Sequence, residues 1–382
     1  MRILLGAPIS TTALRSATGL SLTGAPEGQV QSPAVPLAAA LLRRGHEVGI
    51  ITLDETIESV TSAEEGSLRV IYCPKRGARA RGLDLFADEI AHLVGAIKEF
   101  CPDVVHAHWT YEYAEAAVQS GYPHLVTLHD LGWDSVWKFR DGYRLARLAM
   151  KYRVMPRIKN LSVVAPFLSR KTRYYGYFGK VTVIPNGVSV PEHVQARGRA
   201  EISSPKIVTI GDDNRNKNVR ASVEAFRLIR QRIPTAELHL FGPGLEEGFV
   251  SGQSGVIQHG RVLYPQLMTF LEEEADLLIH PSLFETFGMI IAEAKGRGIP
   301  VIAGRNAGGA PWVCGDDAGC TLVDARSAPA IAQAAIEILE DIGRYMRLAE
   351  KARDDVRNRF ELMAVTDNYL SCYRSILKQE RN

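Results

Sequence analysis

The chain has 382 residues, 46% hydrophobic and 23% charged, an ordinary globular composition too long for one small core, so two α/β domains are expected. A net charge of +2 gives no global reason to expect nucleic acid as a partner, and no apolar run approaches the roughly 18 residues that span a bilayer. Five cysteines without a Cys-x-x-Cys pair read as reduced thiols of a cytoplasmic protein.

Ile3 to Ala7 reads as a buried strand, too short an apolar run for a signal peptide. Pro8 to Gln31, rich in Gly, Ser, Thr and Ala, reads as a loop. A helix is expected over Pro36 to Arg44, with Leu37, Leu41 and Leu42 on one face; it stops at Gly45 before the strand His46 to Thr52. This strand–helix–strand spacing indicates a parallel sheet with right-handed crossovers. No Gly-x-Gly-x-x-Gly follows the first strand, which argues against a dinucleotide cofactor. Leu68 to Tyr72 is the next strand, and Lys75, Arg76, Arg79 and Arg81 then form a basic, glycine-containing loop. Ile90, Val94 and Ile97 place a helix over Phe86 to Phe100.

Asp103 to Trp109 and Pro123 to Asp130 each read as a strand running into a loop. His106 and His108 point the same way on their strand. With no nearby Cys or third His to complete a set, they do not read as a metal site. His129 ends an apolar strand, where side chains of an α/β sheet enter a ligand crevice; a satisfied structural histidine is the plainer alternative.

From Lys138 to Lys180 there are twelve Lys/Arg and one acid, Asp141. Within this run a helix from Tyr143 to Met155 carries Leu145, Leu148, Ala149, Tyr152 and Met155 on one stripe and Arg144, Arg147 and Lys151 on another. Such a helix suits an anionic acceptor or peripheral contact with the anionic inner face of a membrane. It equally suits a solvated helix packed on its own domain. Val181 to Val188 is a strand closing in a turn, and residues 191–205 read as an interdomain linker.

A new sheet then begins with strand Lys206 to Gly211, helix Asn218 to Gln231, strand Glu237 to Phe241, a tight turn at 242–244, strand Val256 to Gly260 and helix Pro265 to Glu274. Ala275 to His280 is a short buried strand that Pro281 and Ser282 lead into a loop. Gly288 opens an Ala-rich helix ending near Gly296, before the strand Pro300 to Ala303. Glu285 falls on the loop and Glu293 within the helix. A helix N-terminus offers free N–H groups to an anion such as a diphosphate, and carboxylates beside it accept hydrogen bonds from vicinal hydroxyls. The stretch is therefore suited to hold both ends of a sugar nucleotide; a solvated loop charge and a helix-surface residue are the plainer reading. Gly319 to Val323 is a last strand, and helices over 329–339, 342–359 and 361–378 close the chain.

The run His280-Pro-Ser-Leu-Phe-Glu285 through Gly288 to Glu293 closely resembles the Glu-x7-Glu signature of family 4 retaining glycosyltransferases. Other segments match in order: Leu37-Ala38 through Gly45 to Val48, Asp103 to Trp109, His129-Asp130, Ile184 to Val188, Gly211 to Lys217, and Pro300 through Gly308-Gly309. Each is weak alone; their order and spacing are specific. The resemblance implies the α/β GT-B architecture, two Rossmann-like domains facing across a cleft. An acceptor-side domain would span 1–192, with 361–382 crossing back onto it, and a donor-binding domain 200–360.

The resemblance also implies transfer of a sugar from a UDP- or GDP-type donor to an acceptor hydroxyl with retention, in bacterial-type glycan, glycolipid or glycoconjugate synthesis. The sugar nucleotide is substrate, no cofactor is needed, and the acceptor is a sugar, a lipid-linked sugar or a small molecule. Glu293 would accept the ribose hydroxyls and Glu285 those of the donor sugar. N–H groups around Phe287 and Gly288 would meet sugar or diphosphate, and Lys217, with Gly211 and Arg215 beside it, would neutralise the diphosphate. His129 would line the reacting centre, and Gly28 would let the first loop approach the diphosphate. No two aspartates are separated by one residue, so metal independence is expected. Three positions depart from the family pattern: Asp212 in place of Arg, Gln29 in place of a second glycine, and Trp312 where an acid often follows the Gly-Gly-x-Pro turn. A GT-B epimerase or phosphorylase and a non-catalytic nucleotide binder are the alternatives, the last kept open by Asp212.

Overall fold

The computed structural model describes residues 1–28, 32–133, 136–137, 140–192, 204–243, 250 and 252–380. They fall into two compact units, Met1–Gly187 with Leu362–Asn382, and Val188–Glu361. Most of the sequence-derived linker, 193–203, lies outside the described residues, as do Gln29 and Gly244.

The first unit is built on β1 (Arg2–Gly6), β2 (Glu47–Asp54), β3 (Thr61–Glu65), β4 (Leu68–Pro74), β5 (Val104–His108), β6 (His124–Leu128), β7 (Leu161–Val163) and β8 (Val181–Val183). They form one sheet in the order β3-β4-β2-β1-β5-β6-β7-β8, parallel except for the β3–β4 pair. Apolar runs such as Ile3-Leu4-Leu5 are fully buried because helices cover both faces of a parallel sheet. Leu37 and Leu41 of helix Ala34–Arg43 share that core with Tyr369, Tyr373 and Ile376 of helix Leu362–Gln379.

The second unit holds β9 (Lys206–Ile210), β10 (Glu237–Phe241), β11 (Val256–Gly260), β12 (Leu277–His280), β13 (Val301–Gly304) and β14 (Cys320–Val323). Their order is β11-β10-β9-β12-β13-β14, and every pairing is parallel. Strand order reverses between β1 and β5 in the first sheet and between β9 and β12 in the second. Ligands of open α/β sheets bind outside the carboxyl ends of strands at such reversals.

Two segments read as loops contain helices. Thr11–Thr18 is helical within Pro8 to Gln31: Ser10 accepts from the Ala13 N–H at 3.2 Å, and Gly19 ends the helix at φ 74°. Polar composition concealed a capped helix whose buried face is only Thr11 and Leu14. Ala78–Leu83 is helical within the basic loop, and Arg76 just before it is tied to Asp84, Asp88 and Glu89. Among the described residues no helix is long and apolar enough to cross a membrane.

Candidate active site

In the second unit, β12 delivers His280 to the sheet edge, 2% exposed, and the chain then turns through Glu285 to Gly288. Gly288, at φ 92°, starts helix Met289–Gly296 without a side-chain cap, leaving first-turn N–H groups open. Glu285 Oε1 accepts from Lys217 Nζ at 2.7 Å and from His280 Nε2 at 3.1 Å. Burial pushes the Glu285 carboxyl up, but the hydrogen bond from His280 and the Lys217 ammonium outweigh it and hold the group well below the usual carboxylate range.

Lys217 reaches Glu285 because the loop after β9 is stitched to the loop after β12. Leu283 N–H donates to the Asn216 carbonyl at 2.8 Å, and Asn216 Nδ2 donates to the Phe284 carbonyl at 2.9 Å. Asn218 Nδ2 bridges the Pro281 and Ala325 carbonyls at 3.2 and 2.7 Å. Gly211 permits this approach, since a Cβ there would lie 2.9 Å from Val219 Cγ2 and 3.0 Å from Lys217 Cβ. On the other side Gly309 N–H donates to the Glu285 carbonyl at 2.7 Å. A Cβ on Gly308, at φ 62°, would lie 2.5 Å from that same oxygen.

Glu293 is 7% exposed and accepts from Tyr264 OH at 2.7 Å; burial raises its pKa above the ordinary carboxylate value. Phe287 is 2% exposed and packs edge-on against Trp312 and Phe360, so only its backbone is available to a ligand. Arg215 is exposed.

In the first unit, His129 follows β6 and is 8% exposed, its Nε2 lying 2.9 Å from His108 Nδ1. A third histidine thus does come beside the His106–His108 pair, contrary to the expectation from sequence. It makes no metal site, because His106 is already engaged on Nδ1 by Tyr373 OH and on Nε2 by Thr127 Oγ1, both at 2.7 Å. No group of three His, Cys, Asp or Glu among the described residues is arranged to hold a metal. Burial pushes His129 down to about 4, although the neighbouring Asp130 charge acts in the opposite sense. His108 Nε2 is buried without a partner. A proton there would be an orphaned donor, so the favoured assignment has His108 donate from Nδ1, leaving the His129 proton on Nδ1.

A cavity of about 570 Å³ opens at the β1–β5 reversal, lined by Gly28, Trp109, Tyr111, Asp130, Arg144 and Arg147 among others. Gly28 has φ 57°, and a Cβ there would lie 2.4 Å from the Ile9 carbonyl oxygen. The basic stripe of helix Gly142–Val154 does not form an outward face for a membrane. Lys151 is fully buried and donates to the carbonyl and Oδ1 of Asp130, both at 2.7 Å. Arg147 lies 3.9 Å over the Tyr111 ring, while Leu145 and Tyr152 are the exposed members. Period alone cannot say which stripe faces inward; the counter-charge comes from Asp130, beyond β6.

Sequence reasoning gave no site role to Asn216, Asn218, His280 or Tyr264, and weighed His108 only as a metal ligand. His108 alone left a signal: it and His129 end adjacent parallel strands, with His108 in register with Thr127.

Residues 34–191 match the family model "Glycosyltransferase Family 4", and residues 204–341 match "Glycosyl transferases group 1". The chain belongs to glycosyltransferase family 4. Its similarity to glycogen synthase from Mycobacterium tuberculosis (strain CDC 1551 / Oshkosh) is 24% identity over 301 residues, 75% of this chain and 72% of the relative. The structure of sucrose-phosphate synthase from Thermosynechococcus elongatus superposes with a TM-score of 0.77 at 20% identity, covering 99% of both chains. Anabaena Alr3699/HepE, in complex with UDP and glucose, superposes at 0.66 with 18% identity, over 98% of this chain and 100% of that one. The fold of this family 4 glycosyltransferase is therefore GT-B.

Within the family, two of the departures acquire a place. Trp312 packs on Phe287 and Phe360 with the Arg359 guanidinium 4.9 Å over its ring, a wedge beneath the two-glutamate loop. Asp212 is partly exposed just beyond β9, and no ion pair reaches it among the described residues.

Proposed function

We propose that this glycosyltransferase moves a sugar from a nucleoside diphosphate donor to an acceptor hydroxyl with retention and without a metal ion. The observation that carries the reading is the Lys217–Glu285 ion pair standing beside the uncapped N-terminus of helix Met289–Gly296. An ammonium has three donors, and Glu285 occupies one, which leaves the others for a diphosphate. Open N–H groups of the helix add a second cationic end. Glu285, ionised and fixed, is suited to accept donor-sugar hydroxyls, and Glu293 those of the ribose. The complex of Anabaena Alr3699/HepE with UDP and glucose favours a uridine donor.

In the transfer, the bond from the anomeric carbon to the diphosphate breaks as the acceptor oxygen bonds to that carbon on the same face. The acceptor proton passes to the departing phosphate oxygen, so no carboxylate base is required. Negative charge grows on the diphosphate, and donors already aimed at it supply the main stabilisation. The five free thiols favour action in a reducing cytoplasm.

The test is incubation with a panel of UDP- and GDP-sugars, with and without chelator. Expected are nucleotide release with one donor class, unaffected by chelator, and NMR of the glycoside showing the donor's anomeric configuration. Inversion, or release that stops with chelator, would overturn the corresponding part. Nucleotide binding without turnover, even with acceptors supplied, would leave a binder.

A further inference from the structure

The cavity of the first unit contains two guanidiniums that none of its carboxylates meets at ion-pair distance among the described residues. Arg81 is 6% exposed and lines the cavity, its guanidinium 5.5 Å over Phe86 and 5.1 Å over Tyr143. Among the described residues no hydrogen bond or ion pair reaches that guanidinium, and its Nε is buried without a partner. A buried guanidinium left in this state is costly unless something else completes it. Arg147 stands one helical turn beyond Tyr143, stacked on Tyr111 and likewise without a carboxylate within ion-pair distance among the described residues. The two arginines come from different helices that meet at Gly82, where a Cβ would lie 3.7 Å from Ala146 Cβ.

The acids of the cavity are mostly spoken for. Asp130 is held by Lys151 and Tyr111, Glu27 by Arg15 and Thr12, and Asp54 by Thr56. Glu55 pairs with Lys75. Glu112, with its buried Oε2 unpartnered, and Asp54, bonded only to neutral Thr56, are the carboxylates left without an ion pair opposite the two guanidiniums. The two guanidiniums therefore keep N–H donors that no carboxylate of the cavity takes up, and Glu112 keeps an oxygen to accept a hydroxyl.

We propose that this cavity binds an acceptor carrying an oxyanion, a phosphate or a carboxylate, clasped by Arg81 and Arg147, with Glu112 taking a hydroxyl of the same molecule. The inference rests on the transferase reading for the word acceptor, but the anion site stands on its own geometry. Planar guanidiniums suit bidentate contact with either oxyanion.

Calorimetric titration of the full chain with inorganic phosphate, glucose 6-phosphate, glucuronate and glucose tests it. Glucose 6-phosphate or glucuronate is expected to bind at least about tenfold more tightly than glucose, and the better of the two identifies the oxyanion. Arg81→Met and Arg147→Met are each expected to weaken inorganic phosphate by about tenfold. Arg81→Lys should recover part of the loss, and if Arg81→Met fails to fold, the half-buried Arg147→Met decides. Affinity unchanged by both arginine substitutions, abolished instead by Lys217→Met, or absent in the parent would overturn the site. Donor hydrolysis by the parent, measured alongside, separates the two readings. Its absence with phosphate bound removes the transferase reading alone, and its presence with no phosphate bound removes the anion site alone.

Discussion

The two sheets reverse strand order once each at a place that gathers polar side chains, yet the chemistry there has opposite character. Beyond β9 and β12, Glu285 is kept ionised because a lysine and a histidine reach it from neighbouring segments. At the carboxyl ends of β5 and β6, His106, His108 and His129 are held neutral because burial dominates and no carboxylate among the described residues pairs with them to stabilise a proton. Asp130 sits next to His129 in sequence, but Lys151 and Tyr111 have already claimed its carboxylate. Parallel topology thus supplies a location; the charge state depends on which partner the adjoining loops deliver. The charged site of the second unit is suited to a departing diphosphate, the neutral cluster of the first to hydrogen bonds with uncharged hydroxyls.

That contrast predicts unequal effects of truncation. Lys217→Ala removes the fixed positive charge that the proposed function sets against a diphosphate and is expected to lower kcat by about 10²–10³-fold. His129→Ala removes a neutral hydrogen-bonding group and should cost about tenfold, the weight of roughly 1.4 kcal/mol. Steady-state rates for the two variants, with melting curves to confirm folding, measure the difference. A larger loss at His129 than at Lys217 would overturn the ranking that the contrast predicts.

A second pair of substitutions asks whether the sites of the two units rely on equally close backbone approach. Gly308→Ala places a Cβ 2.5 Å from the Glu285 carbonyl oxygen, and Gly28→Ala places one 2.4 Å from that of Ile9. Both glycines have positive φ, so each variant combines backbone strain with a clash, expected to destabilise by about 2–4 kcal/mol. Gly308→Ala should also weaken donor binding, because the displaced atom belongs to Glu285 itself. Denaturant melts and nucleotide titrations give the two readouts; donor binding unchanged in Gly308→Ala would detach the glycine from the carboxylate.

Much of this arrangement was legible before any coordinates. Continuous apolar strands such as Val104-Val105 and Leu277-Leu278-Ile279, buried on both faces, announce parallel sheets. The spacing of Glu285 and Glu293 marks the loop and the helix. What stayed hidden depends on contacts distant in sequence. Lys217 and Glu285 are 68 residues apart, and nothing near either one names the other. The Thr11–Thr18 helix was missed because only Thr11 and Leu14 of its residues are buried, too few to give a period. Lys151 was read as a surface cation because amphipathic spacing is symmetric between a solvated stripe and one that finds a buried aspartate.

The smallest expected effect sharpens the comparison most, because Glu293 is the exception within its own unit. It lies close to Glu285 in the chain, yet burial raises its pKa, as burial lowers the histidines; in both cases the neutral form is favoured. A raised carboxyl pKa means the folded state binds the proton more tightly than the unfolded state. Its charge therefore costs stability at neutral pH, and the cost fades as pH falls through the folded value toward the unfolded one near 4.5. Glu293→Gln removes the charge while still accepting from Tyr264, so the variant should melt at the parent's temperature or slightly above it at pH 7–8. That margin should shrink toward zero near pH 4.5. Glu285→Gln should do the opposite, losing about 1–3 kcal/mol at neutral pH because it leaves the Lys217 ammonium without its carboxylate. Since its folded pKa is depressed, that deficit should persist down to pH 4.5 and close only below it. Nucleotide affinity should fall in Glu293→Gln despite the intact fold; melting temperatures that fall together with it would make Glu293 a structural acid and leave the ribose without its acceptor.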